Sequence, residues 1–341
     1  MHKKIFSLPF NFGIGEKGVN GTLIPFIKEY KELLFDIYFT FSIPPFRNDA
    51  MGLGNTIKNQ DEYEEIFKFM MWCQDRFGVT VSATFNNFTV EPSYKNLEIF
   101  IENLKPYYDR GLRSMTIPHV HWAAIGEIKK AFPDLYLKNT VLRRVYNPQE
   151  YADHSQAGFD LINIDRSSIR DKDNLKMLQK AYKRYKKPIA LLVNETCRGR
   201  CPIRDEHYAL NCSNNLQTPY FFQRISEVSC AKWRKEIPYF HLIVSDMAIY
   251  RKDFDEILEY VQVLKLHGRS IVELFYDSLD IVKQYADGNV EVVYKRKKEW
   301  IDRFMYDQDM LKRWEEYVKN CKFQCWNCIL CEQLHQTARK T

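Results

Sequence analysis

No stretch of the 341-residue sequence carries the roughly 18 or more apolar residues in a row that a membrane-crossing helix needs. The basic start Met1-His2-Lys3-Lys4-Ile5 is followed by an apolar run that Pro9, Asn11 and Gly13 interrupt. That pattern predicts a first strand rather than a signal peptide, and a soluble, cytoplasmic chain is expected. Glycine-rich turns are missing after every predicted strand, which removes the usual phosphate-cradling signature. There is no His-Glu-x2-His pair for a zinc peptidase and no Ser/His/Asp order that would support a hydrolase. Internal repeats and low-complexity linkers are absent too. Cysteine is scarce in the first half: of nine, only Cys73 precedes residue 197.

What remains is a regular alternation of apolar runs and helical stretches. Strands are predicted over Lys4–Phe12, Phe35–Phe41, Thr80–Phe85, Ser114–Ile117, Leu135–Val141, Leu161–Asp165, Ile189–Val193 and Val261–Leu266. Phe240–Val244 reads as an extra strand or part of an insertion. Helices are predicted over Gly21–Leu34, Glu62–Phe77, Ser93–Arg110, Ala123–Ala131, Pro148–Ala157, Lys172–Lys186, Lys252–Tyr260, Ser270–Tyr285 and Gln308–Asn320. Eight strand–helix alternations of this length predict a TIM-like (β/α)8 barrel in the α/β class. The doubly wound open sheet is the competing arrangement. The barrel is expected to span residues 1–290, with a helical, Cys-rich extension over 291–341. The net charge of +6 permits an anionic partner. The basic runs Lys183–Lys187 and Lys295–Lys298 read as solvated helix ends or exposed turns.

In a barrel of this kind chemistry sits where the strands end. Those ends carry Asn11, Asn86, Asn87, His119, His121, Arg143, Arg144, Asp165 and the run Asn194-Glu195-Thr196-Cys197. His119 and His121 are two apart, so at most one is expected to face the mouth. Arg143, Arg144, Lys265 and Arg269 suit a carboxylated small molecule, because guanidinium groups match carboxylates in bidentate geometry. The thiols are the sharper signal. Cys197 and Cys201 lie four apart on a loop leaving a buried strand, and Arg198, Arg200 and Arg204 beside them favour thiolates. Cys212 and Cys230 add ligands through longer loops. The tail Cys321-x3-Cys325-x2-Cys328-x2-Cys331 gathers four more, enough for an iron–sulfur cluster or for zinc. A cytosolic chain seldom concentrates thiols this way for disulfides.

The stretch from Leu192, Leu-Val-Asn-Glu-x-Cys-x3-Cys-Pro-x-Arg-x2-His-Tyr, resembles the U-32 peptidase-like (collagenase-like) family. Val263-Leu264-Lys265-Leu266-His267-Gly268-Arg269 is similar to that family's Lys-Ile-x-Gly-Arg element, and the order of strands fits over roughly residues 1–290. The resemblance implies a barrel with a cysteine-held four-iron–four-sulfur cluster, one or two per chain. It implies oxygen-independent hydroxylation of an RNA base or small aromatic, with prephenate as a possible donor, rather than proteolysis. By match, Cys197 and Cys201 are ligands, with Cys230 a third and Cys212 its rival. His207, Lys265, Arg269 and Arg143 are the candidate catalytic residues. Cys321, Cys325, Cys328 and Cys331 complete that cluster, hold a second one, or bind zinc. An accessory role beside a related partner chain is the alternative to catalysis.

Overall fold

The protein is described here from a computed structural model, which describes residues 4–48, 57, 59–207 and 234–339. Eight parallel strands form one sheet in the order β5-β4-β3-β2-β1-β8-β7-β6. They are β1 (Phe6–Pro9), β2 (Leu34–Thr40), β3 (Val81–Thr84), β4 (Ser114–Ile117), β5 (Tyr136–Asn139), β6 (Ile162–Asn163), β7 (Ile189–Leu192) and β8 (Val263–Lys265). Each predicted barrel strand has its counterpart. First and last strands pair, Phe6 with Leu264 and Ser7 with Lys265. The seam between β5 and β6 is held differently. A single bridge joins Lys138 to Leu161. Beyond it the side chains of Asn139 and Asn163 take over the ladder: Asn139 Nδ2 donates to Asn163 O at 3.0 Å, and Asn163 Nδ2 to Asn139 O at 2.6 Å. Amide side chains thereby satisfy backbone groups that a two-residue strand leaves open. The result is a nearly closed TIM-like barrel.

Outward positions such as Ile37, Phe39, Val81 and Ala83 are buried under the helices and form one large apolar core with Phe67, Phe100 and Trp122. Many inward positions of β1 to β5 are polar. Ser7 Oγ donates to Asp36 Oδ1 at 2.5 Å, Lys138 pairs with Asp36, and Ser114 Oγ donates to Ser82 Oγ at 3.0 Å. Asp36 and Lys138 sit on β2 and β5, which are not neighbours, so their bond crosses the lumen. Barrel interiors are usually filled with branched apolar side chains; this one sets that hydrogen-bonded polar layer beside an apolar cluster of Leu161, Ala190 and Val263.

Several predicted elements are corrected. The helix expected over Ala123–Ala131 is two short helices, Val120–Ala124 and Glu127–Ala131, parted at Gly126, whose φ of 83° lies in the left-handed region. The helix expected over Gly21–Leu34 is regular only over Ile24–Tyr30, and Leu34 already belongs to β2. Phe240–Val244 is no strand: Phe240–Leu242 is a 3-10 turn, and Val244 makes one bridge with Arg198. The basic run at 295–298 is not a solvated turn. It opens a helix, Lys295–Asp302, and turns Lys297 inward to Asp246 Oδ1 at 3.0 Å. The other run, ending the helix Lys172–Tyr185, has Lys183 and Arg184 exposed as expected.

The chain after the barrel forms helices Lys295–Asp302, Gln308–Val318 and Leu330–Gln336. Ile301, Leu311, Trp314, Val318 and Leu334 pack with Leu242 and Ile249, which lie in the connection between β7 and β8. None of the helices of the described residues is long and apolar enough to cross a membrane.

Candidate functional site

The C-terminal ends of the strands surround a pocket lined by Tyr38, Thr84, Thr116, Lys265, His267 and Arg269 among others. Tyr38 comes from β2, Thr84 from β3, Thr116 from β4 and Lys265 from β8, so the period of two that buries Phe39 and Ala83 outward aims these four inward. Tyr38 Oη donates to Leu266 O at 2.5 Å, and burial raises its pKa further. Lys265 Nζ reaches Asn163 Oδ1 at 3.4 Å and lies 4.5 Å from the centre of the Tyr38 ring. Burial, then the Lys138 charge, lower the Lys265 amine to about 7 against the pull of Asp36. His267 is held neutral: burial first, then Arg166 and Arg269, bring it down to about 3.

Two ion pairs frame the mouth. Arg166 pairs with Glu195, and Arg204 with Asp165; all four side chains are buried. Burial alone would raise the Asp165 carboxyl. The hydrogen bond and charge of Arg204, the Ser167 N–H and the Arg166 charge outweigh it and hold the group at about 2. A carboxyl depressed in the fold contributes stability above its unfolded pKa near 3.9 and loses it as pH falls toward 2. Asp165→Asn is therefore expected to remove roughly 2 kcal/mol of the stability present at pH 7 and to flatten its fall between about pH 4 and pH 2. Urea unfolding at stepped pH checks this; a variant with the parent's acid limb would overturn it.

The remaining sequence candidates are distributed as follows. Arg143 donates to Pro118 O at 2.5 Å and meets His119 Nδ1 at 2.8 Å, away from Lys265 and Arg269. Of the two histidines only His119 is buried; burial, then Arg143, lower it to about 4. His121 is exposed on the following short helix. Arg144 binds Asp205 at 3.1 Å. His207 follows the Cys201 loop, its imidazole lowered by burial and then by Arg166. Cys212 and Cys230 lie outside the described residues. Cys201 is buried and Cys197 half-buried. Cys73 is a buried core thiol, pushed up to about 12 by burial.

The tail thiols form a group of their own. Cys321, Cys325, Cys328 and Cys331 line a single pocket together with Arg170 and Arg198. Trp314 Nε1 donates to Cys331 Sγ at 3.2 Å, and Arg170 Nη1 reaches Cys321 Sγ at 3.8 Å. Burial pushes Cys331 up to about 11 and raises Cys325, whose neighbours Cys321 and Cys328 raise it further. Arg170 is anchored by Leu242 O at 2.7 Å and by Val244 O. Lys322 N donates to Arg170 O at 2.9 Å, tying the tail to the segment that follows β6. The loop between Cys197 and Cys201 touches the tail as well: a Cβ on Gly199 would fall 1.9 Å from the Phe323 ring. Among the described residues no three His, Cys, Asp or Glu side chains close around a single-ion point. Four thiols around a wider void, with N–H donors and cationic side chains on its wall, fit a cysteine-ligated iron–sulfur cluster, whose properties depend on hydrogen bonds to sulfur and on nearby charge.

Arg166, Arg170, Thr84 and Thr116 escaped the sequence reading. The signal for the threonines was present: Val-Ser-Ala-Thr and Ser-Met-Thr-Ile alternate polar and apolar residues in strands otherwise expected to be buried on both faces.

An uncharacterized protease of Methanocaldococcus jannaschii (MJ1657) is 25% identical to the chain over 193 residues, 52% of the chain and 53% of the relative. The chain spans about half the length of that curated relative. No family model matches it. Among solved structures, a U32 peptidase, Mk0906, aligns with a TM-score of 0.47 and 10% identity, over 66% of this chain and 85% of its own. An aldolase from Escherichia coli K12 aligns with a TM-score of 0.39 and 12% identity, over 88% and 91%.

Proposed function

We propose that this U32 peptidase-like chain is an iron–sulfur barrel enzyme that modifies a small anionic substrate held at the barrel mouth. The observation that carries the reading is the gathering of four tail thiols around one pocket, walled by Arg170 and Arg198, against the loop that bears Cys197 and Cys201. A bound four-iron–four-sulfur cluster supplies redox chemistry and an iron that can accept oxygen. Cys321, Cys325, Cys328 and Cys331 would hold one cluster, with Cys197 and Cys201 belonging to a second. Arg170 offsets the negative charge of the thiolates, and Trp314 Nε1 fixes one sulfur. At the mouth, Lys265 and Arg269 supply the positive potential for a carboxylated substrate or donor such as prephenate. The family resemblance favours oxygen-independent hydroxylation of an RNA base or small aromatic as the reaction class.

The test is anaerobic purification with iron, sulfide and zinc analysis, repeated on Cys325→Ala and Cys197→Ala. About four irons per cluster are expected, with Cys325→Ala losing the tail share and its visible absorption. Zinc without sulfide would sink the proposal, as would iron content indifferent to Cys325→Ala.

A further inference from the structure

The mouth pocket holds two features that the cluster leaves unused. The first is the Lys265 amine. It ends β8 inside the lumen, no carboxylate of the described residues lies within ion-pair distance of it, and its hydrogen bond is to the neutral Asn163 amide. Asp36, the carboxylate of the same lumen, is occupied by Lys138 and Ser7. The second is a pair of hydroxyls. Thr84 Oγ1 and Thr116 Oγ1 line the same pocket, are buried, and have no hydrogen-bond partner among the described residues. A buried hydroxyl left without a partner costs about 1–3 kcal/mol, so two of them in one pocket mark a place where a ligand's polar atom completes the structure. Arg269 stands close enough to act on Tyr38, Lys265 and His267 through its charge, which makes the pocket positive.

We propose that this pocket captures small 2-oxo acids by imine formation at Lys265, with Arg269 holding the carboxylate and Thr84 and Thr116 holding the carbonyl oxygen. The inference rests on the mouth being the substrate site and not on the presence of a cluster. The chemistry balances without any oxidant. The Nζ lone pair attacks the carbonyl carbon, a C–N bond forms, and the carbonyl π pair moves to oxygen. That oxygen then leaves as water with both hydrogens of the neutral amine, and the C=N bond remains. The threonine hydroxyls donate to the oxygen while its charge develops, as donors do in other carbonyl additions. A free lysine is neutral in on the order of one molecule in a thousand at pH 7, whereas an amine near 7 is half neutral. The neighbouring side chains thus keep a nucleophile ready that surface lysines are not.

The test uses the full chain, with pyruvate and phenylpyruvate as probes and sodium borohydride to reduce any imine, followed by peptide mapping. Stable adduct is expected on Lys265, roughly tenfold or more above any other lysine, in line with the difference in neutral fraction. Acetone, which lacks the carboxylate, is expected to label Lys265 several-fold less. Thr116→Val, close in shape, should fold like the parent and trap less. Adduct spread over surface lysines, or none on Lys265, overturns the inference; equal labelling by acetone overturns the role of Arg269. Iron and sulfide analysis of the same unsubstituted preparation separates the two readings. Labelling without iron defeats only the cluster, and iron without labelling defeats only the imine.

Discussion

Lys297→Met is expected to lower the stability of the protein by about 3–5 kcal/mol, because it strands a carboxylate in the interior. Lys297 and Asp246 are both sealed from solvent, and Lys297 Nζ also donates to His241 O at 3.2 Å. Burial drives both partners toward neutrality: the Asp246 carboxyl is raised despite Lys297, and the Lys297 amine is lowered despite Asp246. One carboxylate oxygen, Asp246 Oδ2, already has no hydrogen-bond partner. Removing the ammonium leaves the other in the same state. Urea unfolding followed by circular dichroism measures the loss, and a change below about 1 kcal/mol would refute the argument. The double variant Lys297→Met/Asp246→Leu should recover most of the stability, since apolar replacement of a whole buried pair is often neutral. Recovery would show that the pair sets the geometry of the β7–β8 connection more than it strengthens it.

The second large effect is expected at Gly268. Its φ of 148° is one that side chains rarely adopt, and a Cβ there would lie 2.5 Å from both Phe275 N and Phe275 Cα. Those are backbone atoms of the helix Val272–Ala286, so no rotamer change relieves the clash. The backbone around it is also held by side-chain hydrogen bonds. Asn11 Nδ2 donates to Gly268 O at 2.7 Å, Asn194 Oδ1 accepts from His267 N at 2.6 Å, and Ser278 Oγ donates to His267 O at 2.5 Å. Gly268→Ala should cost about 3 kcal/mol or more. Because His267 and Arg269 flank it, the displacement reaches the pocket, and labelling at Lys265 should fall with stability. Thermal unfolding and the trapping assay, run on the same preparation, test both halves. A variant with parental stability would mean that the helix yields freely.

The sequence made the barrel legible because its outward strand faces are apolar and its helices carry good caps. Ser93 is read as a cap and accepts from Asn96 N at 3.4 Å, whereas the helix read as capped by Asp61 is capped by Asn59 instead. It concealed the lumen, since nothing local in the serines and threonines of β3 and β4 says which side chains they meet across the barrel. The thiols were legible as a group. Their arrangement was not, because it depends on Arg170 and Trp314, which lie 151 and 17 residues from the cysteines they contact. Lys297 was misread for a related reason. A run of four cations looks solvated until one turn of helix sends a single member toward an aspartate that no pattern announces. Arg143 was legible as a cation at a strand end, but the left-handed Arg144 beside it (φ 54°) turns the chain, and Arg143 meets His119 instead of the pocket.

Leu242 and Ile249, in the connection between β7 and β8, share one apolar cluster with Trp314 and Leu334 of the last fifty residues. Their fitness is therefore joint. Across relatives that carry the four-cysteine tail, the two pairs of positions should covary in size. In relatives without it, positions 242 and 249 should drift toward polar residues, because the surface they cover would face water. Such a record of substitutions would date the arrival of the tail from the barrel's side alone.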